Sequence, residues 1–223
     1  MAEKLCILYK DDDIVCCVKE PGILSEEPGL PSIIRQSLGV PEAFCVHRLD
    51  REAGGVMVYA LNRAAASALS ASFSQEGDAE KNYLAVINGI MEEKEGTLTD
   101  LLFHDSRKNR SYTVGRVRKG VREASLSYAV LGELEGLSLV SVQLHSGRTH
   151  QIRVQFSSRK HPLLGDRRYG SGVRCPLALW SHSLAFDHPV TASRITLSCP
   201  PPDSFPWNVF AERLGDSHGI SNY

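Results

Sequence analysis

The chain is 223 residues long, 42% hydrophobic, 23% charged and 7% aromatic, with a formal net charge of −1. That is enough apolar sequence for a sizeable core; no run of about 18 uncharged apolar residues exists to span a membrane, and the apolar stretch after Lys4 is too short for a secretory signal. The near-zero charge hides a division: residues 1–106 hold 9 Lys/Arg against 18 Asp/Glu, residues 107–174 hold 14 against 4, and residues 175–223 hold 2 against 4.

Leu5–Tyr9 and Ile14–Val18 read as short strands parted by the turn Asp11-Asp12-Asp13. After the break at Pro21-Gly22, Pro31–Leu38 has a proline suited to a first helical turn and apolar residues at helical spacing. Gly55–Leu61 reads as a strand, and the alanine-rich Arg63–Phe73 as a helix. Tyr83–Ile87, Ser125–Leu131 and Leu137–Leu144 read as strands, with Glu133–Gly136 joining the last two. Thr149 is placed to cap a helix running to about Ser157, with Ile152 and Phe156 on one face. Leu177–Phe186 and Ile195–Cys199 read as late strands, Pro200-Pro201-Pro202 ends the sheet, and Phe205–Leu214 reads as a closing helix. Strands outnumber helices without a β-α-β rhythm. The expected fold class is therefore α+β, a largely antiparallel mixed sheet with flanking helices. No linker divides the chain, so residues 1–223 are expected to form a single catalytic domain.

The six cysteines form no C-x-x-C, and the eight histidines show no metal-ligand spacing. The expectation is free thiols, a cytoplasmic protein, no metal and no cofactor. The basic residues fall into two clusters, Arg107 to Arg122 and Arg148 to Arg174, with no Lys or Arg between. Charge alone allows two readings: solvated surface loops, or a phosphate-tracking surface on an otherwise acidic protein.

Two motifs carry the chemical signal. The first is His47-Arg48-Leu49-Asp50-Arg51-Glu52-Ala53-Gly54-Gly55, a tight loop leading into a strand. Arg48 and Arg51 flank Asp50 and favour its ionised form, which suits a nucleophile, a base or an ion-pair partner. A surface Arg-Asp pair is the plainer reading of those residues. A kinase catalytic loop is excluded by the order His-Arg-Leu-Asp and by the lack of a glycine-rich phosphate loop and of Asp-Phe-Gly. The second motif is Gly147-Arg-Thr-His-Gln-Ile-Arg-Val154, followed by His161-Pro-Leu-Leu-Gly-Asp-Arg-Arg-Tyr-Gly170. Arg153, one turn into a helix, is placed to hold a carboxylate or phosphate in fixed geometry; a solvated arginine on an amphipathic helix is the alternative. His145, His150 and His161 read as hydrogen-bonded structural residues.

Together these motifs resemble the pseudouridine synthases of the RluA type. Residues 47–55 match the first family signature, H-R-L-D-x-x-T-S-G, at His, Arg, Leu, Asp and the last Gly. Gly147–Val154 match the second throughout, with Gln155 where histidine is usual, and His161–Gly170 match H-P-I/L-x-G-D-x-x-Y-G. Lys19-Glu-Pro-Gly-Ile-Leu24 echoes an early family segment, and Lys81-Asn82-Tyr83 sits where the family has K-x-Y. These segments span roughly residues 19–190.

The resemblance implies a pseudouridine synthase catalytic fold with an active-site cleft across the sheet, and no N-terminal accessory RNA-binding domain in this chain. It implies site-specific isomerisation of uridine to pseudouridine in structured ribosomal or transfer RNA. Asp50 takes the place of the catalytic aspartate, acting at C1′ or on the ribose of a flipped-out uridine. Tyr83 matches the tyrosine that packs against the base, Arg153 the residue that pairs with the aspartate, and Ile152 the apolar residue beside it. Arg48 matches the arginine that holds the flipped nucleotide's place, with His47 beside it in the substrate site. Arg116, Arg118, Lys119, Arg167 and Arg168 are the expected RNA-backbone contacts. RNA is the expected partner, with no membrane and no obligate protein partner, the chain acting as a monomer. Ala53 and Gly54 replace the usual threonine and serine, which motivates an alternative: an RNA-binding protein of the same fold with weak or no catalysis. An RNA hydrolase using a histidine pair is a distant third.

Overall fold

The computed structural model describes residues 5–216 of the chain. The first elements are β1 (Cys6–Lys10), β2 (Ile14–Lys19), α1 (Leu30–Leu38), β3 (Phe44–Cys45), β4 (Gly54–Ala60) and α2 (Arg63–Ser72). Then come β5 (Glu80–Asn88), β6 (Glu95–Asp105), β7 (Arg110–Thr113), β8 (Val121–Leu134) and β9 (Leu137–Leu144). The chain continues through α3 (Gln151–Ser158), β10 (Leu179–Asp187), β11 (Arg194–Ser198), a 3-10 turn at Asn208–Phe210 and α4 (Ala211–Asp216). β4 pairs in parallel with β10, while β1–β2, β2–β4, β6–β7, β6–β8, β8–β9 and β10–β11 are antiparallel. This is the α+β class with a mixed, largely antiparallel sheet. The chain forms two compact units, residues up to Asn82 with Trp180–Cys199, and Tyr83–Leu179 with the chain from Pro200 onward.

In the first unit β2 and β4 are buried along their whole length, which is why both read as continuous apolar runs rather than alternating strands. Ile14, Cys16, Val56, Val58, Ala60, Leu184 and Phe186 pack against Ala65 and Leu69 of α2 and against Phe73 just beyond it. Asn62 caps α2 by accepting from the Ala65 amide at 2.9 Å. α1 carries its proline in the first turn and stops at Gly39, left-handed at φ 67°.

The glycine pair at the start of β4 is explained by β10. A Cβ on Gly54 would lie 2.4 Å from the Trp180 ring and 3.0 Å from the Lys19 carbonyl oxygen. A Cβ on Gly55, at φ +118°, would lie 2.2 Å from the Ser181 carbonyl oxygen. The parallel pairing Trp180↔Gly54 and Ser181↔Gly55 thus exists because neither residue has a side chain. The departure from the family's serine at position 54 is matched by the indole that fills the space. Restoring serine there is expected to destabilise the protein by about 2 kcal/mol through overpacking, and adding Trp180→Leu to recover part of the loss. Urea unfolding measures both; an unchanged midpoint for Gly54→Ser would refute the close approach.

The second unit runs β5-β9-β8-β6-β7. β8 and β9 leave only Glu135 and Gly136 between them, both left-handed at φ 50° and 77°, a two-residue hairpin shorter than the expected Glu133–Gly136 loop. β6 and β7 were not expected from sequence, and the first basic cluster proves to be their hairpin, the loop 114–120 and the start of β8 at Arg122. The helix expected to be capped by Thr149 starts instead at Gln151. Its N-cap is His150, left-handed at φ 56° and without a side-chain cap bond. The Thr149 carbonyl accepts the Ser111 hydroxyl at 2.6 Å. Gln151 instead closes the loop before the helix: its Oε1 accepts from the Arg148 amide (3.0 Å) and the Ser146 hydroxyl (2.8 Å), and its Nε2 donates to the Ser125 carbonyl (3.0 Å). The closing helix likewise starts late, at Ala211, after the 3-10 turn.

Candidate active site

In the first unit, the loop bearing Asp50 is clamped on both sides of the carboxylate. The Ser25 hydroxyl donates to the Leu49 carbonyl and accepts from the Leu49 amide, both at 3.0 Å. The Asp50 carbonyl accepts from the Ala53 amide at 3.0 Å, closing the turn. Beyond it, the Arg51 carbonyl accepts from the Gly22 amide (2.7 Å) while Arg51 Nε donates to the Gly22 carbonyl (2.9 Å). Underneath lies Lys19, wholly buried, whose ammonium donates to the carbonyls of Ile23 (2.8 Å), Glu20 (3.2 Å) and Arg51 (3.2 Å). Burial pulls its pKa down to about 8, against the opposing pull of Asp50, Glu52 and Glu20. Sequence reasoning assigned no role to Lys19 or Ser25. The signal available was a lysine ending an otherwise apolar strand.

His47 and Arg48 of the same motif do different things. The Val58 amide donates to His47 Nε2 at 3.1 Å, and the imidazole stacks on Phe73 with centroids 4.4 Å apart. Burial, and then the charge of Lys81, push its pKa down to about 3, so it is a neutral brace of β4. Arg48 is exposed and pairs with Glu26 at 3.2 Å. The His47 shift has a consequence for acid stability. Between about 3 and the ordinary 6.5 the unfolded chain binds a proton that the native imidazole refuses. Stability is therefore full above 6.5 and falls as pH drops toward 3. His47→Gln is expected to lose less of its urea midpoint than the parent between pH 7 and pH 5, and an identical loss would refute this.

In the second unit Tyr83 is buried on β5, and Ile152 and Arg153 are buried on α3. Arg153 grips Asp166 with two bonds, Nε to Oδ2 at 2.7 Å and Nη2 to Oδ1 at 2.9 Å, with its guanidinium 5.3 Å from the Tyr169 ring centroid. Asp166 is held in a tight turn whose Gly165, at φ +76°, leaves no room for a Cβ beside the Pro176 carbonyl, 2.2 Å away. That segment runs along β5, with Leu164 donating to the Val86 carbonyl and Asn88 to the Pro162 carbonyl. The Tyr169 hydroxyl accepts from the Ser111 amide at 2.8 Å and lies 3.0 Å from His150 Nδ1. His145 and His161 are also hydrogen-bonded, to the Ser127 hydroxyl and the Asn88 carbonyl.

Of the expected RNA-backbone residues, Arg116, Arg118 and Lys119 are exposed in the β7–β8 loop, with Arg118 over the Phe103 ring at 4.9 Å. Arg167 is exposed, and Arg168 donates through Nη1 to the carbonyls of Lys108 (3.1 Å) and Asn109 (3.0 Å). Among the described residues one trio has metal-like spacing: Asp11, Asp13 and His188. His188 Nδ1 accepts from the amides of Val190 and Thr191, so its Nε2 carries the proton and donates to Asp11 at 2.7 Å. That imidazole has no lone pair left for a cation, and the trio braces two turns of the first unit.

Comparison with known proteins agrees with this chemistry. Residues 4–158 match the family described as RNA pseudouridylate synthase. A protein of Aquifex aeolicus described as an uncharacterized RNA pseudouridine synthase is 34% identical, over 89% of this chain and 70% of its own length. The ribosomal large subunit pseudouridine synthase D of Vibrio cholerae is 30% identical, over 89% of this chain and 68% of its own length. Human RNA pseudouridylate synthase domain containing 4 shares the fold, with a TM-score of 0.75 at 23% identity over 94% of this chain and 93% of its own. The chain belongs to the RNA pseudouridylate synthase family, in its RluA-type branch. It is an isomerase that converts uridine to pseudouridine in RNA. Among the described residues no helix is long and apolar enough to cross a membrane.

Proposed function

We propose that the protein modifies a specific uridine of a ribosomal or transfer RNA, with Asp50 as the catalytic carboxylate. Breaking the N1–C1′ bond builds positive charge on the ribose, which a fixed carboxylate stabilises or attacks. The uracil must turn while trapped, and it must first leave its stack. Tyr83 serves as the platform for the base, Ile152 as the apolar wall, and Arg153 as the fixed cation facing the reaction. Arg48 takes the place vacated by the flipped nucleotide, and His47 acts by holding the loop that carries Asp50. Arg116, Arg118, Lys119, Arg167 and Arg168 carry the RNA backbone. The chain works in the cytoplasm as a monomer.

The observation that carries this reading is the clamped loop: the carbonyl and amide of Leu49, the carbonyl of Asp50 and the carbonyl of Arg51 are each hydrogen-bonded. Such restraint suits a group that must meet a transition state in one orientation. A ribosomal target is supported by the Vibrio cholerae relative, a ribosomal large subunit pseudouridine synthase. The test is incubation with bulk RNA from a strain lacking the protein, followed by mapping of pseudouridines. New sites confined to a few positions in ribosomal or transfer RNA are expected. RNA binding with no pseudouridine formed would favour the non-catalytic alternative.

A further inference from the structure

The cations of this chain differ in what they pair with. Arg48, Arg153, Arg159 and Arg194 each hold a carboxylate. Among the described residues no carboxylate lies within 4.0 Å of the charged nitrogens of Arg107, Lys108, Arg110 or Arg168. All four meet at one corner. Arg107 and Lys108 form the β6–β7 turn, Arg110 opens β7, and Arg168 is tied to the turn by its bonds to the carbonyls of Lys108 and Asn109. The acid nearest in register to Arg110 is Asp105. Its Oδ1 is engaged instead by the amides of Arg107 (3.0 Å) and Lys108 (3.2 Å).

Arg110 is the most constrained of the four. Its guanidinium carbon lies 5.6 Å from the Tyr112 ring centroid and 5.1 Å from that of Tyr169. Its Nε is buried and has no hydrogen-bond partner among the described residues. Two phenol rings thus hold a planar cation in one orientation, with no carboxylate among the described residues to neutralise it. The same Tyr169 ring stands beside Arg153, so the corner is built onto the segment that positions that arginine. Among the described residues no hydrogen bond uses the Nη nitrogens of Arg110 either, and that edge of a preorganised, unneutralised guanidinium matches a phosphodiester, which accepts in the plane of the fork.

We propose that Arg110 is a phosphate-binding residue for the substrate RNA, with Lys108 and Arg168 supplying flanking charge. This rests on RNA being the substrate and does not depend on which carboxylate performs the chemistry. The test uses full-length protein carrying Asp50→Asn, so that turnover is absent, and a fluorescein-labelled mixed-sequence RNA stem–loop titrated from 50 to 300 mM KCl. Arg110→Gln is expected to weaken binding about tenfold at low salt. It should also reduce the slope of log affinity against log salt by about 0.7 to 0.9, one phosphate contact. Arg110→Lys is expected to restore the slope and only part of the affinity, because an ammonium lacks the planar fork.

Unchanged affinity and slope in a folded Arg110→Gln protein would overturn the assignment. If Arg110→Gln lowers the melting temperature, Arg110→Lys decides: parental affinity at every salt overturns the proposal, weaker binding on a parental slope supports it. The two readings fail separately. A parent that forms pseudouridine while Arg110 proves neutral loses only this site. An Arg110 effect on binding with no pseudouridine formed by the parent loses only the catalytic reading.

Discussion

Asp50→Asn is expected to abolish pseudouridine formation, lowering the initial rate by at least about a thousandfold, while the protein keeps its fold and its RNA affinity. Asparagine has the shape of aspartate and none of its charge, so it neither adds to C1′ nor stabilises a developing oxocarbenium ion. The hydrogen bonds that shape the loop come from backbone atoms of Leu49, Asp50 and Arg51 and from the side chains of Ser25, Lys19 and Arg51. None of the bonds named there uses the Asp50 carboxylate, which is why the loop is expected to persist. The charge does matter to Lys19, whose protonated form Asp50 favours. In the variant, that lysine should titrate below its present value of about 8. Pseudouridine mapping on bulk RNA reads the first effect, and retained turnover would mean that another carboxylate does the chemistry.

The second large effect is expected at Asp166, a residue with no role assigned from sequence. Its carboxylate and the Arg153 guanidinium are both buried, with side-chain exposures of 0% and 4%. Removing one member of a buried bidentate pair costs about 3–5 kcal/mol, because the other charge stays desolvated. Asp166→Ala should therefore lower the melting temperature on the order of 10 °C. Asp166→Asn, whose one oxygen can still accept from Arg153 Nη2 and the Tyr169 amide but whose amide nitrogen cannot accept from Arg153 Nε, should lie between. Activity should fall with Arg153's orientation, in the same order. A melting temperature equal to that of the parent in the alanine variant would show that the pair adds nothing to the fold.

Local signals served the helices and the buried strands well. Pro31 sits in the first turn of α1, the alanine-rich stretch read over Arg63–Phe73 is α2 to within a residue, and β9 has the limits read from its apolar residues, Leu137–Leu144. β6 escaped because its sequence, Glu-Gly-Thr-Leu-Thr-Asp-Leu-Leu-Phe-His-Asp, is polar and half exposed. Its strand character comes from nine cross-strand pairs with β8, Glu95↔Ala129 through Phe103↔Val121, and a partner 18 to 34 residues away leaves no local trace. The Thr149 cap failed for a related reason. The residue type suits a cap, but the loop closes through Gln151, whose amide reaches Ser146, Arg148 and Ser125.

By itself the sequence determined the class of chemistry, because that chemistry is written in contiguous residues: His47 to Gly55, Gly147 to Val154, His161 to Gly170. It also showed that a net charge of −1 conceals a basic stretch from 107 to 174. What only the tertiary structure decided is the environment of each charge. Lys19 donates to the carbonyls of residues 20, 23 and 51, Arg153 is paired with Asp166, and Arg110 has no carboxylate partner among the described residues. Desolvation and hydrogen-bond partners are properties of packing between residues distant in the chain. A string of residue types can therefore name the cations but not tell which are spent on the fold and which are left for RNA.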